Sequence, residues 1–319
     1  MYTDICSKIG IQYPIFQGAM TFVTDKNLVA AVSNAGGLGI FAPGDDSSKG
    51  DAAWLREEIR ALRKMTDKPF GVNLAMRSSK IASFVDVICE ENVRIITSGG
   101  GDPTEHIAKL KEAGVLVCPV VPDAKTALRM EKLGADMVVC SGMEGGGFVG
   151  TVSTMVSLPQ VTAAVKIPVI AAGGIYDGRG MAAAIAMGAS GVQMGTRFML
   201  STDCTIPENV KTAMLAAKSK EAVAVDAMFR RGPHLRCLKT QIVTDLQNYE
   251  NGNDAQSAVY MERFAAARDE QLLRDGKVDE ALLPMGEVAG AITELRSAKE
   301  IIDSMMEEYK AAVSTMPQF

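Results

Sequence analysis

The chain has 319 residues, 47% of them hydrophobic and 22% charged, which provides for a large buried core and excludes disorder over any long stretch. A net charge of −5, with no segment that interleaves basic and aromatic residues, gives no support to a nucleic-acid reader. The opening MYTDICSKIG lacks a basic start followed by an apolar stretch, and the longer apolar runs are broken by Lys166, Pro168 and glycines, so a cytoplasmic protein with no membrane segment is expected.

In chain order, short β-branched or apolar runs alternate with segments of helical periodicity from Pro14 to about Phe198, the pattern of repeated βα units around a parallel sheet. The runs are PIFQG (14–18), LGIF (38–41), FGVNL (70–74), VRIIT (93–97), VLVCPV (115–120), MVVCS (137–141), PVIAA (168–172) and GVQMG (191–195), eight in all. SNAGGLGIF, KEAGVLVCPV, KLGADMVVC and AMGASGVQM each place a glycine where a helix gives way to a strand, as a left-handed helix terminus requires. An open dinucleotide-binding sheet would need GxGxxG after the first strand with an acidic residue about 20 positions on, and that combination does not appear. The expected class is α/β, a (β/α)8 TIM barrel over residues 1–200 with a C-terminal helical appendage.

Beyond Phe198 the strand signal fades. Residues 208–224 and 255–274 read as helices, NYENGND (248–254) as a polar break and 286–312 as an acidic helical stretch. Residues 201–319 are expected to form an appendage or lid on the barrel, the last helices returning to it.

Reactive groups in a barrel stand at the C-terminal ends of the strands. There the chain offers Gln17, Gly18, Ala19 and Met20 after the first run, Asn73 within the third, Ser98 to Gly101 after the fourth and Ser141 to Phe148 after the sixth. Small residues and amides dominate, which suits a flat cofactor that carries the chemistry while the protein positions it. AAGGIYDG (171–178) and VQMGTRF (192–198) follow the seventh and eighth runs, where barrels commonly bind phosphate. A glycine pair alone is more often a plain strand-to-helix turn; the second loop in matching register makes a phosphorylated cofactor the expectation.

His106 and His234 are the only histidines and neither has a partner at ligand spacing, so no metal site is expected. His106 reads as an exposed first-turn residue. His234 belongs to RRGPHLRCLK (230–239), a basic stretch that either holds a nucleotide or carrier phosphate or faces solvent. The six dispersed cysteines (Cys6, Cys89, Cys118, Cys140, Cys204, Cys237) are expected to be mostly buried, reduced thiols.

Seven segments in order, PIFQGAM, SNAGGLGIF, DKPFGVNL, SGMEGGG, IPVIAAGGIYDG, VQMGTRF and PMGEVAG, resemble the FMN-dependent family that joins nitronate monooxygenases (2-nitropropane dioxygenase-like) with flavin-type enoyl-acyl-carrier-protein reductases. DKPFGVN, RMEKLGAD and AAGGIYDG are closer to the enoyl reductase branch. The resemblance implies FMN with its phosphate on Gly173, Gly174, Gly195 and Thr196, and Gln193 and Met194 nearby. The isoalloxazine would lie against Gly18, Ala19 and Met20, hydrogen-bonded by Asn73, with Glu144 and Gly286 close to the cofactor. It further implies NADH or NADPH as the co-substrate that reduces the flavin, hydride transfer to the β-carbon of an enoyl thioester on acyl carrier protein or coenzyme A, and a proton delivered to the α-carbon. A homodimer is expected.

One position departs from the family pattern. The loop after the sixth strand carries glycine-glycine-histidine in the family, and here it reads Gly146-Gly147-Phe148. Phenylalanine cannot transfer a proton, and general acid–base assistance is worth about 10²–10⁴ in rate. Cys140, Ser141, Thr151 and Tyr176 are the nearby substitutes in sequence, and water is another. Phe148 would otherwise pack on the flavin or line an acyl tunnel with Met20, Met143 and Met285. The expected activity is enoyl thioester reduction; the alternatives are nitronate oxidation with O2 and a flavin-binding protein without turnover.

Overall fold

A computed structural model of the chain describes residues 4–46, 48, 50–230, 233–253 and 256–315. Its centre is a ring of eight parallel strands: β1 (Ile15–Gln17), β2 (Gly39–Phe41), β3 (Phe70–Ala75), β4 (Ile95–Gly99), β5 (Leu116–Val121), β6 (Val138–Ser141), β8 (Val169–Ala172) and β9 (Gly191–Met194). β7 (Gly147–Val149) lies outside it. β1 pairs with β9, and the ring closes where Gln17 N–H donates to Leu38 O and Leu38 N–H to Ile15 O, 2.9 Å each. All eight expected runs are barrel strands, with ends shifted by at most two residues. The junction glycines Gly36, Gly114, Gly134 and Gly188 have φ of +92°, +72°, +95° and +94°, so each ends its helix in the left-handed conformation.

Alternate residues of these strands fill the ring. Phe16, Ile40, Ile95, Cys118, Val139 and Ile170 pack together inside it, and Ile5, Cys6 and Ile9 of the helix Asp4–Ile9 join them as a floor. Each such burial is worth about 1.5–3 kcal/mol. With interior and floor filled, the barrel opens only at the C-terminal ends of its strands. Asp25, Asp51, Asp123 and Asp177 start surrounding helices by accepting backbone N–H groups, each worth about 1 kcal/mol.

The region after Phe198 is not wholly helical. The helix expected over 208–224 stops at Ala216, and AVAVD forms β10 (Ala222–Asp226), antiparallel to β11 (His234–Leu238). β11 also pairs with β7, giving a three-stranded sheet. Alanine alternating with valine reads as helix until such a partner is known, and one partner lies in the loop after β6. One sheet face, with Val225, Leu235 and Cys237, packs on Tyr260 and Phe264. On the other face, Ala222 and Leu238 join the barrel's main core cluster.

The stretch expected as one helix over 255–274 is two, Ser257–Ala267 and Glu270–Arg274, because Asp269 caps the second by accepting Gln271 N–H at 2.9 Å. Asp254 and Ala255 of the expected break and helix, and Arg231 and Gly232 of the basic stretch, lie outside the described residues. The stretch 286–312 divides into a 3-10 turn, Glu287–Ala291, and the helix Ala298–Thr315. That helix packs on the barrel helices Gly178–Ala186 and Lys26–Asn34.

Candidate active site

Two loops build a cradle at one side of the mouth. Gly173 and Gly174 follow β8 with φ of +93° and +75°, a conformation that costs other residues about 1–3 kcal/mol. Gly195 and Thr196 follow β9. The N–H groups of Gly174, Gly195 and Thr196 have no acceptor among the described residues, so they are free donors. Thr196 Oγ1 accepts the N–H of Gly286 at 2.9 Å. Gly286 fits so closely that a Cβ there would stand 2.9 Å from Glu144 O and 3.2 Å from Thr196 Oγ1.

Glu144 fastens this side to the loop after β6. Its two carboxylate oxygens each accept Thr154 N–H at 3.0 Å, and one takes the Thr154 hydroxyl at 2.9 Å. Its carbonyl accepts Glu287 N–H at 3.0 Å. Glu144, Gly174, Thr196 and Gly286 therefore meet at one place, with the Glu144 carboxylate bound to backbone.

The other expected contacts surround the mouth beside the cradle. Gly18 N–H donates to Met194 O at 2.8 Å. A Cβ on Gly18 would lie 3.4 Å from the Gln193 side chain, and one on Gly195 3.6 Å from Met20 Sδ, so Gly18, Gln193, Met20 and Gly195 are neighbours. Ala19 packs at the top of the barrel interior. The Met194 side chain turns away into the core between strands and helices, leaving only its backbone toward the mouth. Asn73 Oδ1 accepts the Thr97 hydroxyl at 2.9 Å, and its amide N–H groups have no acceptor among the described residues. Gln17 is buried and structural: its Nε2 bonds Gly18 O and Thr24 Oγ1, and its Oε1 accepts Ile40 N–H at 3.1 Å. A Cβ added to Gly99, Gly100 or Gly147 would meet nothing within 4 Å, so the mouth is open over these backbones.

The model of the family described as nitronate monooxygenase matches residues 3–84 and 76–308. The chain belongs to that family. It is 36% identical to a (3aS,4S,5R,7aS)-5-hydroxy-7a-methyl-1-oxo-octahydro-1H-indene-4-carboxyl-CoA dehydrogenase of Rhodococcus jostii (strain RHA1), over 95% of this chain and 94% of the relative. It is 32% identical to a probable nitronate monooxygenase of Staphylococcus aureus (strain MSSA476), over 76% of this chain and 79% of the other. Among solved structures, FabK from Thermotoga maritima superposes with a TM-score of 0.91 at 38% identity, over 98% of both chains. The protein is thus an oxidoreductase of a nitronate monooxygenase family whose members use FMN.

The rim beside the cradle, where the loop after β6 adjoins that after β8, is built differently. Phe148 lies on β7 opposite Leu235 and is 47% exposed. Arg268, just past the helix Ser257–Ala267, places its guanidinium carbon 5.9 Å from the centroid of that ring. The same guanidinium pairs with Asp45, in the loop after β2, at 2.8 Å. Sequence reasoning passed over both partners, since Arg268 falls inside a stretch that reads as continuous helix and Asp45 in a polar loop. The only signal was the acidic residue after Arg268, a helix N-cap that breaks the stretch at this point.

The substitutes near Phe148 in sequence fare unevenly. Cys140 faces outward, its Sγ 3.6 Å from Ser157 Oγ, and burial pushes its thiol up, away from proton transfer at the mouth. Tyr176 accepts from Arg179 at 3.3 Å beyond the cradle, and Thr151 is exposed. Ser141 is partly buried beside Gly145. His106 is partly exposed in the first turn of the helix Thr104–Glu112. His234 Nδ1 lies 2.6 Å from Asp226 Oδ1, its partner across the β10–β11 ladder. None of the six cysteines is in a disulfide, and five are buried.

Proposed function

We propose that this protein is an NAD(P)H-dependent FMN oxidoreductase that reduces the C=C bond of an enoyl thioester. The observation that carries the reading is a likeness that spans nearly the whole of both chains. Over at least 94% of both chains it is 36% identical to an enzyme named for a carboxyl-CoA compound and 38% to FabK, an enoyl-acyl-carrier-protein reductase. The probable nitronate monooxygenase is less similar over a shorter span.

The residues present fit FMN. The free N–H groups of Gly174, Gly195 and Thr196 would hold the phosphate, with Gly173 supplying the backbone turn. The Asn73 amide would donate to the ring laid against Gly18, Ala19 and Met20, with Gln193 alongside. Glu144 and Gly286 would act as positioning residues, holding the loop after β6 and the 3-10 turn against Thr196. Met194 would contribute backbone only. Bound FMN would supply the two-electron chemistry, accepting hydride from NADH or NADPH and passing it to the β-carbon of the acceptor. With Phe148 at the rim, the α-carbon proton comes from water entering the open mouth.

The test is an anaerobic flavin spectrum. The purified protein should be yellow, NADH or NADPH should bleach it, and an enoyl thioester should restore the colour. A colourless protein unchanged by added FMN removes the cofactor assignment. Bleaching that no enoyl thioester of several chain lengths reverses would leave a flavin reductase. The family match itself favours a second reading, nitronate oxidation; O2 uptake with alkyl nitronates in the absence of nicotinamide would establish it.

A further inference from the structure

Arg268 stands over the mouth on a line fixed by the sheet. β2 and β6 are four strands apart in a ring of eight, so the loops that follow them face each other across the opening. Asp45 comes from one loop and Phe148 from the other, and the guanidinium of Arg268 contacts both. Asp45 engages one N–H corner at 2.8 Å, and the remaining N–H groups have no acceptor among the described residues. The side chain is 28% exposed. A partly buried cation held from two sides, with planar donors left over, is suited to bind an oxygen that carries or develops negative charge.

Resting on the enoyl thioester reading above, we propose that Arg268 is the electrophilic catalytic residue, hydrogen-bonding the thioester carbonyl oxygen and stabilising the enolate formed by hydride addition. With FMN bound to supply the electron pair of NAD(P)H, the β-carbon would gain a C–H bond. The π pair of the C=C bond moves through the α-carbon, and the carbonyl oxygen becomes the enolate oxygen beside the guanidinium. The carbonyl then re-forms as the α-carbon takes a proton from water, which solvent replaces. The sum is enoyl thioester, NAD(P)H and a proton giving saturated thioester and NAD(P)+. A guanidinium offers donors and no acceptor, so it acts by charge and hydrogen bonding. That role needs no proton carrier at position 148; it needs a face to hold the cation, which the ring of Phe148 provides.

The test uses full-length, FMN-loaded protein and the variants Arg268→Gln and Arg268→Lys. In the oxidised enzyme without nicotinamide, bound cinnamoyl-CoA should show a red-shifted enone band if its carbonyl is polarised; Arg268→Gln should abolish the shift and Arg268→Lys restore part of it. Flavin content and bleaching by NAD(P)H should stay at the wild-type level, while reoxidation by an enoyl thioester slows about 10²–10³-fold in Arg268→Gln, the usual effect of losing one oxyanion donor. Wild-type shift and reoxidation that persist unchanged in Arg268→Gln overturn this inference and leave the enoyl reductase reading intact. A wild-type enzyme that gives neither shift nor reoxidation overturns that reading, and this inference with it.

Discussion

Two neighbouring parts of the barrel mouth are made of different materials. Around β8 and β9 the surface is backbone, with glycines at positive φ, free N–H groups and a bond from Gly286 to Thr196 that closes them in. Across the diameter from β2 to β6 it is made of side chains, Asp45, Arg268 and Phe148, joined by one ion pair and one ring contact. A backbone cradle tolerates little substitution and suits a cofactor that never changes. A side-chain rim can be altered residue by residue, and it holds Phe148, the residue that the sequence reading singled out.

The sharpest challenge to this contrast is Gly173→Val. A Cβ there would lie 3.0 Å from Gly142 O at φ +93°, so backbone strain of about 1–3 kcal/mol adds to a blocked cradle. The purified variant should carry no flavin by absorbance; full flavin content would disprove the cradle. Next is Thr196→Val, which strands the Gly286 N–H in a buried place and should cost about 1–3 kcal/mol in denaturant unfolding of the holoprotein. An unchanged midpoint would mean that Gly286 is held by packing alone.

For the two residues that hold Arg268 on the rim the expected effects are smaller and fall on the acceptor. Phe148→Ala removes the ring beneath Arg268, a contact worth about 0.5–1 kcal/mol at an exposed site, so reoxidation by an enoyl thioester should slow by a few-fold with flavin content unchanged. Loss of flavin instead would merge the two parts into one. Asp45→Asn should have the least effect, because partly exposed ion pairs contribute about 0.2–1 kcal/mol. Its KM for the enoyl thioester should rise at most a few-fold, more at low salt than at high, and a larger salt-independent loss would assign Asp45 a direct role.

The barrel was legible because each strand is a short apolar run and each helix ends on a glycine, both local signals. The cradle was legible for the same reason, its two loops being contiguous words in the sequence. Gly286 was reached only through resemblance, since nothing local links PMGEVAG to a threonine 90 residues earlier. The small sheet was hidden because Ala222–Asp226 has no preference strong enough to announce a strand without Gly147–Val149 and His234–Leu238 beside it. Arg268 was hidden by geometry: its meaning depends on which loops lie beneath the end of its helix, and ring order, not periodicity, decides that. Phe148 was singled out from the sequence, and its partners came only with the structure.

The bond between Gly286 and Thr196 also sets an order of events during synthesis. At about 5–20 residues per second, the segment that closes the grip leaves the ribosome roughly 5–20 s after the threonine it will cover. The eight strands can find their register in that interval, yet the pocket they frame stays open on one side. On the FMN reading, a complete pocket would be offered to the cofactor only by a nearly finished chain.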